Sequence, residues 1–159
     1  MVTIRDIEPK DNPFLAQIIR NALEEFGANH PGTVYYEAST DQLYEMFQTP
    51  GSRYFVAEQA GVILGGAGIF PTEGLPDDTI ELVKMYLLPE ARGKGLGKRL
   101  IALCLNAAQE SGRRKVYLES MPELSQAVAL YERLGFSHLQ RPLGNTGHYG
   151  CAVWMEKTI

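Results

Sequence analysis

Cysteine and tryptophan are scarce in this chain, and no apolar run is long. Its 159 residues include two cysteines, Cys104 and Cys151, and one tryptophan, Trp154. With no CxxC pair and no histidine read at metal-ligand spacing beside them, neither a disulfide scaffold nor a structural zinc is expected, and both thiols are read as reduced. His30, His138 and His148 are scattered, so no metal is expected. The longest apolar stretch, Val62 to Phe70, contains three glycines and is far shorter than the roughly 20 residues that cross a bilayer. The N-terminal MVTIRDIEP carries Arg5, Asp6 and Glu8 where a secretory signal needs an apolar core, so no membrane contact and a cytoplasmic location are expected. Positive charge is also short: 15 Lys and Arg against 19 Asp and Glu give a net charge of −4. That balance excludes a general nucleic-acid surface, which calls for a basic domain. What is present is 45% apolar residues, enough for one core without staples and for one domain over residues 1–159. The oligomeric state, monomer or homodimer, is left open.

Periodicity orders the rest. Val2–Ile7 reads as a strand, and Pro13 opens a helix with Phe14, Ile18, Ala22 and Phe26 at helical spacing. Thr40 is placed to cap a second helix carrying Leu43, Met46 and Phe47, which Pro50-Gly51 stops. Ser52–Gln59 and Val62–Phe70 read as a hairpin turned by Ala60-Gly61, and Thr79–Leu88 as a fourth strand, with Glu81, Val83, Met85 and Leu87 on one face. Leu96–Glu110 is an amphipathic helix, Lys115–Glu119 a strand, and Pro122-Glu123 opens a helix that Gly135 ends. Phe136–Leu139 and Tyr149–Glu156 complete the strands. The order predicts an α+β fold: a mostly antiparallel central sheet of about seven strands with helices on both faces.

Between the fourth strand and the long helix lies Arg92-Gly93-Lys94-Gly95-Leu96-Gly97-Lys98-Arg99. Unpaired amides and the positive end of a helix converge there, which makes an anion site. The dinucleotide pattern GxGxxG fails at Lys98, and the Walker pattern fails at Arg92 and Arg99. The segment LLPEARGKGLGKRL resembles the acyl-CoA-binding motif of the GNAT superfamily of N-acyltransferases, [RQ]xxGx[GA], with Arg92, Gly95 and Gly97 at its defining positions. AVALYERLGFSHL is similar to that family's later helix and strand, so the likeness spans about residues 79–140.

This resemblance implies that strands four and five splay apart, that Met85, Tyr86 and Leu87 offer main-chain groups to a pantetheine arm, and that acetyl-CoA is the co-substrate. The amides of Arg92, Gly93, Lys94, Gly95, Leu96 and Gly97 would hold the diphosphate, with Lys98 or Arg99 reaching the ribose phosphate. It also implies a tyrosine, Tyr131, as acid for the leaving thiolate, and the Leu87 N–H as oxyanion donor. Leu124 stands where many relatives carry asparagine, so that coenzyme contact is either absent or supplied by Ser125.

Acyl transfer to an amine needs a base or a chain of waters to take a proton, because an alkyl ammonium titrates near 10.4. Glu81 and Glu119 are the candidates, the alternative being that they pair with Lys84 or Lys115. His148 is a third candidate, unless it is only an exposed loop residue. From Asn21 to Ser52 there is no Lys or Arg, while Glu24, Glu25, Glu37, Asp41 and Glu45 alternate with aromatics, which favours a cationic acceptor. The expected activity is acetyl transfer by direct attack of a small-molecule primary amine. A protein-lysine or N-terminal acceptor, and a non-catalytic acyl-CoA-binding module, are the alternatives.

Overall fold

The computed structural model describes residues Met1–Ile159. The elements are β1 (Thr3–Asp6), α1 (Asn12–Glu25), α2 (Leu43–Met46), β2 (Arg53–Gln59), β3 (Val62–Phe70), β4 (Thr79–Leu87), α3 (Leu96–Glu110), β5 (Lys115–Ser120), α4 (Ser125–Arg133), β6 (Ser137–His138) and β7 (Val153–Thr158). The strands form one sheet in the order β1-β2-β3-β4-β5-β7-β6. Neighbours are antiparallel except β4 and β5, which run parallel. No helix is long and apolar enough to cross a membrane.

Alternation along β2 divides the interior in two. Phe55 and Ala57 join α3 residues Leu100, Ile101 and Cys104 on one face, while Tyr54 and Val56 join Leu15, Ile19 and Leu23 of α1 on the other. The expected α1 stripe is therefore rotated: Leu15, Ile19 and Leu23 are its most buried residues, and Phe14 is exposed. Thr40 caps nothing. It is buried in a 3₁₀ turn, where its hydroxyl donates to the Val34 carbonyl at 2.6 Å, and the second helix shrinks to one turn after Gln42. The last strand begins at Val153, not Tyr149, because the chain from Asn145 to Cys151 is bonded to loops: Asn145 N–H to Glu73 O, Gly150 N–H to Gly32 O.

The decisive irregularity is in β4. Gly68 pairs with Val83 and Gly66 with Tyr86, so Ala67 of β3 stands against two residues, Lys84 and Met85. This is a β-bulge, and Lys84 takes the left-handed conformation, φ +52°. The extra residue reverses the alternation expected for the strand: Val83 packs with the α1 side, Leu87 with the α3 side. Two features hold the bulge. Glycines in β3 let the strands approach, since a Cβ on Gly65 would lie 2.1 Å from the Tyr86 carbonyl oxygen. The fully buried Tyr54 lies over Gly66 and Gly68 and donates its hydroxyl to the Lys84 carbonyl at 2.8 Å.

Downstream of the bulge the sheet opens. β4 pairs with β5 only at Thr79–Lys115, Ile80–Val116 and Glu81–Tyr117, yet both strands continue, to Leu87 and Ser120. Strands four and five therefore splay as expected. Replacing Tyr54 with Phe keeps the ring over the glycines but leaves the Lys84 carbonyl unpartnered, a loss of about 1–3 kcal/mol. A lowered urea midpoint at unchanged m-value is the expected reading.

Candidate active site

The splay opens a cavity of about 610 Å³ whose wall includes Glu81, Leu87, Gly97, Glu119, Tyr131 and His148. At its mouth the glycine loop behaves as an anion cradle. Gly93 and Gly95 have φ of +73° and +80°, which turns consecutive amides to one side at no steric cost. Gly95 is the N-cap of α3. The Arg92 amide is spent on the Pro89 carbonyl at 3.2 Å, but the next six, Gly93 to Lys98, donate to nothing in the chain. A Cβ on Gly97 would make only ordinary contacts, 3.4 Å from Leu130, 3.8 Å from Leu87 and 3.9 Å from Met85.

Side chains around the loop divide. Arg92 does not reach outward. Its guanidinium clasps the Leu87 carbonyl at 3.1 and 3.2 Å, pairs with Glu25 at 2.8 Å and lies 5.0 Å from the Phe26 ring centre, so it fixes the loop to the end of β4. Lys98 and Gly93 line the cavity, whereas Lys94 and Arg99 are exposed outside its wall and Leu96 is buried in the core. Ser125 is exposed and also outside the wall, which its neighbours Leu124 and Gln126 form instead. Helix α4 starts at Ser125 rather than at Pro122, and that shift carries the hydroxyl away.

Main-chain direction in β4 follows from one bond. The Leu88 N–H donates to the Leu64 carbonyl at 2.8 Å, so in an antiparallel ladder the peptide groups of Leu87 face away from β3, into the split. Arg92 on the Leu87 carbonyl confirms that side. Met85 shares this orientation. Tyr86 does not: it pairs with Gly66, and only its side chain reaches the cavity.

Glu81 is the last residue of β4 paired with β5 and sits at the apex of the split. It is 3% exposed and accepts the Thr72 hydroxyl at 2.5 Å. Burial pushes its carboxyl up to about 7, against the opposing pull of Thr72 and the His148 charge. Neither expected charge pairing forms, since Lys84 pairs with Glu37 at 3.0 Å and Lys115 with Glu156 at 4.0 Å. Glu119 is fully committed: Tyr117 and Thr146 hydroxyls each donate to it at 2.6 Å and His148 Nδ1 lies 3.3 Å away. Burial favours its neutral form, but these donors outweigh it and hold Glu119 below the usual carboxylate range.

His148 is neither an exposed loop residue nor a free base. Nε2 contacts Glu37 and Nδ1 faces Glu119. Carboxylates only accept, so both ring nitrogens carry protons. Burial favours the neutral ring, yet Glu119 and Glu37 prevail and carry it up to about 9. Glu37, which burial alone would raise, is brought down to about 2 by His148 and Lys84. Tyr131 is buried against Phe136, its hydroxyl bonds to nothing in the chain, and burial raises it above its ordinary value, so it stays protonated. Cys151 joins Glu119 and His148 with ligand atoms within 4.8 Å of one another, a grouping that sequence spacing did not suggest. A cation there has to displace the imidazolium proton and a thiol that burial and Glu119 push up to about 12.

Glu37, Thr72, Lys84, Tyr117 and Thr146 were not anticipated in these roles. Three glycines within four residues of β3 were the one available signal, pointing to a close strand approach. A second cavity, about 290 Å³, opens on the other side of this cluster and shares Glu81, Val83, Lys84 and His148 with the first.

A split parallel strand pair, a row of unbonded amides beside it and a buried cluster of ionisable groups at its apex make up the site. The chain matches the acetyltransferase (GNAT) family over residues 15–136. It is 42% identical over 157 residues to the uncharacterized N-acetyltransferase YjgM of Escherichia coli K12, covering 98% of this chain and 94% of that one. A GNAT acetyltransferase from Staphylococcus aureus Mu50 superposes with TM-score 0.87 at 16% identity, covering 99% of both chains. YncA of Salmonella typhimurium, solved with its cofactor acetyl-CoA, gives 0.75 at 22% identity over 99% and 94%. The chain belongs to the GNAT family and is an N-acetyltransferase.

The His148 pairing makes stability depend on pH. Its folded value, about 9, lies above the ordinary 6.5, so its contribution is complete below pH 6.5 and is lost as pH rises through 9. Tm is expected to fall over that window in the wild type, and the slope is expected to flatten in His148→Gln.

Proposed function

We propose that this N-acetyltransferase binds acetyl-CoA in the split between β4 and β5 and passes the acetyl group directly to the amine of a small molecule. The reading is carried by the six successive amides, Gly93 to Lys98, that donate to nothing in the chain at the mouth of the splay. Helix α3 begins at this loop, so its positive end adds to the attraction for a diphosphate. Lys98 on the cavity wall is the cation best placed for a further phosphate. Met85 and Leu87 present main-chain groups to the split, where a pantetheine arm is extended enough to pair with a strand edge. Acetyl-CoA, when bound, supplies the activated thioester.

Roles in transfer follow from charge. The amine must lose a proton before attack, and Glu81, buried and titrating near neutrality, is the base matched to that task. Thr72 donates to its carboxylate and steadies the ionised form. Tyr131 remains protonated and holds its hydroxyl in the same cavity, which suits it to protonate the departing thiolate. An N–H of Met85 or Leu87 is the donor available to the developing oxyanion. His148 and Glu119 hold the cluster rather than exchange protons with substrate. The acceptor enters through the second cavity. Its 290 Å³ lies near the low end of ligand sites, about 300–1,000 Å³, and favours a small molecule over a polypeptide. Residues 1–159 act as one unit in this reading, and the two free thiols are compatible with the cytoplasm.

Release of free CoA from acetyl-CoA with a panel of amines tests the activity. Acetyl-CoA at about 100 times its dissociation constant is expected to stabilise the protein by about 2.7 kcal/mol. Glu81→Gln is expected to lower kcat about 100-fold and to abolish the rise of kcat/KM with pH through about 7 that deprotonation of Glu81 gives the wild type. Tyr131→Phe is expected to lower kcat by about 10–100-fold with a smaller change in acetyl-CoA affinity.

A further inference from the structure

The acid-rich segment read from the sequence as an attractor of cations is already occupied. Glu24 accepts the Tyr35 hydroxyl, Glu25 pairs with Arg92 at 2.8 Å, Asp41 with Arg20 at 2.5 Å, and Glu45 accepts from Asn12 at 2.7 Å. Glu37 lies between Lys84 and His148. Of the acids that line the second cavity, only Glu73, exposed on its rim, makes no side-chain bond.

Inside that cavity the charges are mixed. Lys84 is held in its left-handed conformation by the bulge with its side chain 2% exposed, and its ammonium has three donors, of which one is used on Glu37. The His148 ring carries a second fixed positive charge, because each of its nitrogens faces a carboxylate. Lys84 and His148 offset Glu37 and Glu119, which leaves Glu81 and the rim carboxylate of Glu73 as the acids without a cationic partner. What the cluster offers is separation: a buried carboxyl at the apex, Glu81, and two unused N–H donors of a buried ammonium on the wall both cavities share.

We propose, resting on the acyl-transfer reading above, that the acceptor is an amino acid-type zwitterion whose amine meets Glu81 and whose carboxylate is received by the ammonium of Lys84 beside His148. A carboxylate brings a negative charge and two acceptor oxygens to these donors, a carboxamide one neutral oxygen beside an NH2 that they repel, and a bare alkyl group none; donors left unpaired in a buried site are the stronger source of discrimination. Lys84 is thus a specificity residue. The cavity's few apolar walls, Met46, Phe70 and Val83, receive the side chain.

The test is CoA release with acetyl-CoA and the proteinogenic amino acids, each compared with its carboxamide and its decarboxylated amine, with putrescine and spermidine alongside. At least one amino acid is expected to exceed both of its partners about tenfold or more in kcat/KM. In Lys84→Met that ratio collapses toward one, mainly through KM. In Glu37→Gln, which takes away the built-in anion and leaves Lys84 in place, KM for the amino acid falls or holds while the ratio persists; circular dichroism of both variants reports folding. Equal or better turnover of carboxamides or polyamines, or a ratio unchanged in folded Lys84→Met, overturns the zwitterion assignment and leaves the acyltransferase reading standing. No turnover of any amine by protein that binds acetyl-CoA overturns both.

Discussion

One extra residue in β4 governs this molecule. A regular strand would keep its ladder with β5 to the end and close the sheet. Ala67 facing both Lys84 and Met85 instead bends β4, and the pairing with β5 ends at Glu81. The conformation is costly, since φ of +52° at a lysine places a long side chain in a region that L-residues avoid. The surroundings enforce it. Tyr54 holds the carbonyl, glycines on β3 remove the side chains that would block the approach, and Glu37 holds the ammonium.

The same bend serves binding and chemistry together. It turns Met85 and Leu87 main-chain groups toward the gap, and it leaves Glu81 at the apex, dry enough to titrate near neutrality. It also places Lys84 on the wall common to both cavities. Glu81 likewise lines both cavities. The C-terminal loop completes the site from outside the sheet: Thr146 and His148 reach Glu119, and His148 also reaches Glu37. The ion pairs of His148 with Glu37 and Glu119 and the single Thr72 bond of Glu81 share one cluster.

Much of this was legible from residues alone. The glycine loop declared itself through Gly93, Gly95 and Gly97 among four cations, and the strand and helix order, hence the sheet, through periodicity, while the role of Tyr131 was implied only by the family resemblance. Local pattern failed where tertiary bonding overrode it. Nothing near Lys84 in sequence announces a bulge, because its cause lies 30 residues away in Tyr54. His148 was read as a candidate base or else an exposed loop residue, and its ion pairs went unseen because Glu37 and Glu119 lie far off in the chain. The acidic stretch misled for the converse reason: composition reports charges, and only the folded chain shows that Glu24, Glu25, Glu37, Asp41 and Glu45 already have partners. The Ser125 contact was implied by the family resemblance, and its side chain stands exposed, outside the cavity wall.

The most direct measurement is a crystal structure of the protein with acetyl-CoA bound. The account predicts the diphosphate within hydrogen-bonding distance, about 3 Å, of several of the amides from Gly93 to Lys98, the pantetheine along the gap-facing edge of Met85 and Leu87, and the thioester beside Tyr131. A coenzyme lying elsewhere on the surface, with the β4–β5 gap closed by continuous pairing beyond Glu81, would contradict it.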